Sequence, residues 1–182
     1  MKKFRILLFC LIAFSLACSH LSEPEKYYNH IMKMQNRIVD DMFEMNRYCE
    51  YLDSTGLNKV YHNTLIRTSE YTEALEETGP LAGDSLLQNA ALDLFRVYLA
   101  VLEDEMLRMK QIVNKPGELS TSDDNKLLKL RKSMFGKLSE AEKKFAGAQY
   151  KFNRMYMPGK VLTEPDSTLF EEEADTVSDS LQ

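Results

Sequence analysis

The sequence has few of the residues that interrupt helices and few cysteines. Its 182 residues include seven glycines, five prolines, three cysteines and no tryptophan. Three cysteines are too few for a disulfide scaffold, and the glycine and proline contents are far from those of collagen-like or low-complexity chains. With 44% hydrophobic residues, the chain can bury an ordinary core. We therefore expect one packed domain whose stability comes from side-chain packing.

Positive charge is also in short supply. The 23 lysines and arginines are outnumbered by 28 aspartates and glutamates, which gives a net charge of −5. Nucleic-acid binding depends on neutralising phosphates with an excess of basic side chains. The sequence therefore predicts that nucleic acid is not a partner.

A hydrophobic run long enough to span a membrane is missing. Lys2, Lys3 and Arg5 precede an apolar segment, residues 6–17, whose twelve residues rise only about 18 Å as a helix. The hydrocarbon core of a bilayer is about 30 Å thick. A charged start followed by a short apolar run is the form of a secretory signal peptide, which we assign to residues 1–17.

The end of this signal carries a recognisable motif. Ala17-Cys18, at the end of the apolar run, resembles the lipobox of bacterial lipoproteins. The resemblance implies lipidation of Cys18, with palmitate as an expected acyl group, and a lipidated tether over residues 18–24. Ser19, in place of an aspartate after the cysteine, implies sorting to the outer membrane. The alternative is an ordinary signal cleaved near Ala17, which would release a soluble protein.

Prolines and glycines divide the remainder into four long segments that are rich in helix formers. Amphipathic helices joined by short loops predict an all-α fold, an antiparallel up-down-up-down four-helix bundle over residues 25–157. The predicted helices are Glu25–Leu52, Leu57–Glu77, Ser85–Asn114 and Thr121–Met157.

The first predicted helix has the clearest pattern. Ser22 and Glu25 are spaced as a capping box at its start. Gln35 is the one polar member of its stripe and is expected to form a register-setting hydrogen bond. Residues spaced alternately by three and four predict its buried stripe: Tyr28, Ile31, Gln35, Ile38, Met42, Met45, Cys49 and Leu52.

The other helices show the same spacing with differences. The second has the most polar stripe, because Thr64 and Thr68 belong to it, so we expect it to pack most weakly. In the fourth, Gly136 and Gly147 are expected to permit a close approach or a slight bend. After the bundle, residues 158–182 contain seven acidic residues and one base, which predicts a disordered acidic tail with a net charge of −6.

The chain resembles the uncharacterised helical surface lipoproteins of bacteria. The resemblance rests on the segment Tyr27-Tyr28-Asn29-His30-Ile31, on residues 89–98 (NAALDLFRVY) and on the lipobox. It implies the same helical fold and surface location. It implies no activity, because that family has none that can be transferred.

Motifs for catalysis and for cofactors are missing. No His follows a Glu by three residues, as ferritin-like di-iron sites require, and no Cys-x-x-Cys-His haem motif is present. Cys49 lies on the apolar stripe, where a free cysteine behaves as a small hydrophobic residue. The run Glu103-Asp104-Glu105 lacks the spacing of a calcium loop and is interpreted as a solvated face. We therefore expect no enzyme, no cofactor and no metal site.

One end of the bundle carries the best candidate site. The start of the first helix and the end of the fourth share the membrane-near end, and a short second helix would leave it incompletely covered. Aromatic and methionine side chains there, rimmed by Lys151 and Arg154, suit a peptide, a lipid or a partner helix; the alternative is that they cap the core. The candidate residues are Tyr27, Tyr28, His30, Met32, Met34, Tyr150, Phe152 and Tyr156.

Copper is a weaker expectation at this end. Imidazole and thioether groups are ligands for Cu(I), and His30, Met32 and Met34 provide both. Successive members of this set are two residues apart and so point about 200° apart on a helix. They cannot converge on one ion without a partner helix.

Together, these features predict a non-catalytic, lipid-anchored protein of the bacterial cell envelope, located at the outer membrane. Its expected partners are the membrane, through the lipid at Cys18, and an unidentified protein. The alternative is a carrier of a small ligand (lipid, haem or Cu(I)) that uses the aromatic, methionine-rich end.

Overall fold

The computed structural model describes residues 21–159, which are helical apart from short connections. The assignments made to residues 1–20, including the signal peptide and Cys18, and to the tail beyond residue 159 lie outside this part. The described helices are α1 (Glu23–Glu50), α2 (Ser54–Thr78), α3 (Leu86–Val101), a π-helical segment (Leu102–Met106), α4 (Leu107–Val113) and α5 (Thr121–Tyr156).

Capping boxes begin the two longest helices. At α1 the backbone N–H of Glu25 donates to Ser22 Oγ (3.4 Å), and the N–H of Ser22 donates to Glu25 Oε2 (3.0 Å). Ser120 and Asp123 form the same reciprocal pair at α5. Each box satisfies donors that a helix start leaves unpaired. The capping box predicted at Ser22 is confirmed.

The first helix ends two residues earlier than predicted. The N–H of Tyr51 still donates to the carbonyl of Arg47, but Leu52 has a φ of +54° and is 49% exposed. A left-handed residue cannot continue a right-handed helix, so the chain turns here toward α2. The assignment of Leu52 to the buried stripe is therefore wrong. Ile31, Ile38, Met42, Met45 and Cys49 are buried, as expected.

Consecutive long helices run in opposite directions around one core. Near the start of α1, the Tyr27 hydroxyl donates to the carbonyl of Gly79, just beyond the end of α2 (3.1 Å). At the opposite end, Asn58 near the start of α2 exchanges amide hydrogen bonds with Asn114 after α4. The π-helical segment carries α3 into α4, and this composite third helix packs against α2 on one side and α5 on the other.

The core is formed by apolar side chains from all the helices. Its largest fully buried members are aromatic, branched aliphatic or methionine side chains, and burial of such a side chain stabilises a fold by about 1.5–3 kcal/mol. They are Tyr98, Phe95, Phe145, Phe152, Ile31, Ile38, Met45, Leu57, Leu75, Leu87, Leu94 and Leu102.

The polar stripe of α2 is satisfied within its own helix. The buried hydroxyls of Thr64, Thr68 and Thr72 each donate to the carbonyl four residues earlier, at 2.7–2.8 Å. This back-bonding leaves only methyl groups facing the core. The threonines therefore pack as small apolar residues.

A polar contact connects two helices at the centre. The buried Tyr98 hydroxyl of α3 donates to Glu142 Oε1 of α5 (2.8 Å). The half-buried Gln35 side chain of α1 has its Oε1 without a hydrogen-bond partner among the described residues. The register-setting hydrogen bond expected of Gln35 therefore stays a prediction.

The glycines of α5 are not at close contacts. A Cβ atom built on Gly136 or Gly147 would meet no other atom within 4 Å, and both residues are exposed. The expectation that they permit a close approach is wrong, because both lie on the solvent side of α5.

Within residues 21–159, no helix is both long enough and apolar enough to cross a membrane.

Candidate functional site

The two chain ends of the bundle meet in an aromatic cluster. We call Tyr27, Tyr28, Phe152 and Tyr156 the aromatic end. Phe152 lies at its centre and is only 1% exposed. Its ring centroid is 6.0 Å from that of Tyr27, 6.3 Å from that of Tyr28 and 4.8 Å from that of Tyr156. The structure thus brings these four candidate residues together.

The connection after α2 closes over part of this cluster. The Gly79 carbonyl accepts from Tyr27, and the half-buried Leu81 packs against the core. The helix α2 ends at Thr78, one residue beyond the predicted Glu77, and the connection that follows contacts Tyr27 through the Gly79 carbonyl. The rings contact one another and the connection, and they cap the core.

The other candidate residues are dispersed. His30 is exposed, whereas Met34, one turn further along α1, is buried in the core. Met32 is half-buried beside the Gln149 side-chain amide of α5. Tyr150 is 43% exposed. His30, Met32 and Met34 therefore occupy three different environments, and they do not form a shared ligand set.

Burial raises the pKa of two tyrosines of the aromatic end, Tyr27 and Tyr156, above their ordinary value of 10.0, and the nearby Asp84 carboxylate raises both further. A phenol with a raised pKa supplies no base at neutral pH. The cluster offers apolar contact and hydroxyl hydrogen bonds only.

The single cysteine in the described part of the chain is inert. Cys49 is buried, and burial raises the pKa of its thiol to about 11. The thiolate is the reactive form, so this thiol is no nucleophile at neutral pH. The interpretation of Cys49 as a core residue is confirmed. Among residues 21–159, no group of three or more His, Cys, Asp or Glu side chains could hold a metal ion.

The sequence-based search missed a second region, a groove between α4 with the π-helical segment on one side and α5 on the other. Its volume is about 620 Å³. We call it the basic groove because five cationic side chains line it: Arg108, Lys115, Lys126, Lys129 and Lys137.

A buried carboxylate forms part of the wall of the basic groove. Glu105, in the π-helical segment, is 2% exposed and accepts hydrogen bonds from Ser133 (2.8 Å) and from Lys137 (2.5 Å). Burial alone would raise the pKa of Glu105, but the hydrogen bonds from Lys137 and Ser133 and the Lys137 charge outweigh it and lower the pKa. The solvated-face interpretation holds for Glu103 and Asp104, and it is wrong for Glu105.

The π-helical turn explains this placement. A turn closed by i+5 bonds holds one residue more than an α-helical turn. The wider turn leaves both Glu105 and Met106 on the buried side, while Glu103 and Asp104 remain exposed. Regular α-helical spacing contains no signal for such a turn, which is why the third helix was predicted as continuous.

The basic groove continues along α5 into a less charged part. This part, which we call the alanine groove, lies between α3 and α5 and has a volume of about 580 Å³. Small or apolar side chains line most of it, the charged side chains of Asp93, Glu140 and Lys144 line the rest, and Lys137 belongs to both grooves. The apolar lining residues are Ala90, Leu94, Val97, Ala100 and Ala141.

Comparison with known proteins adds no family to this description. No protein-family model, no curated protein and no solved structure matches the chain.

Proposed function

We propose that the chain is a non-catalytic, lipid-anchored protein of the bacterial cell envelope, located at the outer membrane, that acts through contacts with another protein. The observation that carries this proposal is the lipobox-like Ala17-Cys18 immediately before the bundle. Cys18 lies five residues before Glu23, the first residue of α1.

The short tether supports a position close to the membrane. Only Ser19–Ser22 lie between Cys18 and α1, and four extended residues span about 14 Å at most. A lipid at Cys18 would therefore hold the α1–α5 end beside the bilayer. Leu21, Tyr150 and Met155 are exposed large hydrophobic residues at this end, and they suit a headgroup region.

The carrier alternative receives less support. A lipid, a haem or a Cu(I) ion at the aromatic end would have to displace Phe152 and Met34 from the core, since both are already buried. We therefore propose that the protein acts by contacting another protein, in preference to carrying a small ligand.

The anchor is tested by labelling with a radioactive or alkyne-bearing fatty acid in a bacterial host. We expect the full-length chain to incorporate the label and to be found in the membrane fraction. The Cys18→Ala variant should incorporate none. Cys10→Ala and Cys49→Ala are matched controls, because neither removes the lipobox cysteine, and both should still be labelled. Label on Cys18→Ala, or an unlabelled wild-type chain, would contradict the proposal.

Native mass spectrometry distinguishes a protein that acts through protein contacts from a carrier of a small ligand. We expect the mature chain, purified gently from cells, to have the mass of the polypeptide and its lipid alone. A reproducible additional mass of a metal, a haem or a second lipid would favour the carrier. Chemical cross-linking on intact cells should then identify the protein partner.

A further inference from the structure

The basic groove has an excess of positive charge in a chain that is acidic overall. Its five cations are opposed nearby by three carboxylates, those of Asp104, Glu105 and Asp123. Two positive charges are left over. Such a groove attracts an acidic segment of polypeptide.

The cations remain accessible although most are already paired. The side chains of Arg108, Lys115, Lys126 and Lys137 are 46–60% exposed despite their ion pairs. Lys129 is exposed and has no ion-pair partner among the described residues. Each cation therefore has donors that can reach a second anion.

The chain itself contains an acidic segment of suitable composition. Beyond the described residues, Leu169-Phe170 is followed directly by Glu171-Glu172-Glu173-Ala174-Asp175. An apolar pair thus precedes a dense acidic run. The groove along α5 has the same order when followed from the end of α5, with the alanine groove first and the basic groove second.

We propose that residues 160–182 bind back along α5, with Leu169-Phe170 in the alanine groove and Glu171–Asp175 in the basic groove. The segment occupies the groove of its own chain and competes there with any acidic partner. This contact does not depend on the lipid anchor at Cys18.

The lengths allow this arrangement. At 1.5 Å per helical residue, Ala141 lies about 23 Å and Ser133 about 35 Å from Tyr156 along α5. Leu169 is the thirteenth residue after Tyr156, and Glu171 is the fifteenth. When extended, these stretches span about 43–47 Å and about 50–54 Å. Both stretches are therefore longer than the distance along α5 to the groove that each has to reach.

Spin labels on the acidic segment test the contact. The sample is the mature chain, residues 18–182, with Cys18→Ser. Labels are attached at Ser167→Cys or at Thr176→Cys, and Cys49 stays unlabelled because it is buried. At about 0.01 M salt, where the Debye length is about 30 Å, the Ser167→Cys label should suppress the amide signals of Ala141 and Lys144. The Thr176→Cys label should suppress those of Lys129 and Ser133.

Two comparisons identify the cause of the signal loss. At about 1 M salt, where the Debye length is about 3 Å, the Lys129 and Ser133 signals should recover. The groove variant Arg108→Glu with Lys129→Glu should show no suppression by the Thr176→Cys label. The matched variant Lys33→Glu with Lys59→Glu makes the same change of charge at exposed positions outside the groove, and it should behave like the wild type.

Three results would overturn the proposal. The first is an absence of suppression in the wild type, and the second is equal suppression in both charge variants. The third is suppression that occurs between labelled and unlabelled molecules in a mixture, since it would mean that the groove docks a second copy of the chain.

Discussion

Asp41 is a buried carboxylate between α1 and α2, and its effect on stability depends on the arginine side chains that pair with it. It is 3% exposed and pairs with Arg67 of α2 and with Arg37 of its own helix (3.3 Å). A buried charge that loses its partner is strongly destabilising, whereas the intact pair adds little over apolar residues.

We expect Arg67→Met to lower the free energy of unfolding by about 3 kcal/mol, at the low end of the usual range because Arg37 remains. Arg37→Met should cost less than about 1 kcal/mol, since Arg37 is half-exposed. The double variant Asp41→Leu with Arg67→Met should recover most of the loss. Urea denaturation provides all three values. A double variant as unstable as Arg67→Met alone would show that the pair itself stabilises the fold.

Glu142 links stability to pH through its contact with Tyr98. Burial raises the pKa of Glu142 above its ordinary value of 4.5, and the hydrogen bond from Tyr98 offsets only part of this. The folded state therefore keeps the proton to a higher pH than the unfolded state. The stabilisation is complete below pH 4.5 and is lost as the pH rises through the folded-state pKa.

Glu142→Gln should remove this loss, because the amide oxygen still accepts from Tyr98 and carries no charge. The free energy of unfolding of the Glu142→Gln variant should equal that of the wild type at low pH and should exceed it increasingly above pH 4.5. Glu140→Gln is a matched control of opposite sign, since the hydrogen bond from Lys144 lowers the pKa of Glu140. That variant should lose stability relative to the wild type above pH 4.5. Chemical denaturation between pH 3 and about 8 measures the free energies of unfolding of both variants and of the wild type. A difference between Glu142→Gln and the wild type that does not change with pH would contradict the raised pKa of Glu142.

At the scale of the helices, the exposed glycines of α5 weaken an otherwise regular element. Gly136 and Gly147 have open space where a Cβ would lie. Glycine costs a helix interior about 0.5–1 kcal/mol relative to alanine. Gly56, in the first turn of α2, is different: its Cβ would lie 2.5 Å from Tyr48 Cε1 and 2.7 Å from the capping Asp53 Oδ2.

Gly136→Ala and Gly147→Ala should therefore each raise the free energy of unfolding by about 0.5–1 kcal/mol. Gly56→Ala should lower it, because both Tyr48 and the cap must move. Thermal unfolding followed by circular dichroism distinguishes the two directions. A stabilising Gly56→Ala would mean that the Tyr48 ring moves aside without cost.

At the scale of the whole molecule, the sequence predicts features that depend on local spacing. The capping box at Ser22, the buried stripe of α1 and the inert Cys49 all follow from residues within a few turns of one another. The predicted ends of the helices lie within three residues of those observed. The observed third helix differs from the predicted continuous helix mainly in its π-helical turn.

The features that escaped prediction depend on which helices meet. Glu105 is buried because its turn widens and because Ser133 and Lys137 of α5 lie opposite. The basic groove combines cations from α4 and the connection after it with cations from α5, and these residues are not adjacent in any local sequence pattern. The aromatic end was predicted as a gathering of residues, but its cover required the Gly79 carbonyl and Leu81 from a connection between other helices.

The contact between Tyr27 and Phe152 also places the two ends of the described chain side by side. A peptide linker that joins Gly159 to Leu21 across this end would close residues 21–159 into a ring. New termini at Gly117, in the exposed turn between α4 and α5, would then give a circular permutant in which α5 is synthesised first. In this permutant α5 and α3 would be far apart in sequence, whereas in the natural order they are close, and the residues of the core would stay the same. Folding rate, rather than stability, is the property that such a rearrangement changes most directly.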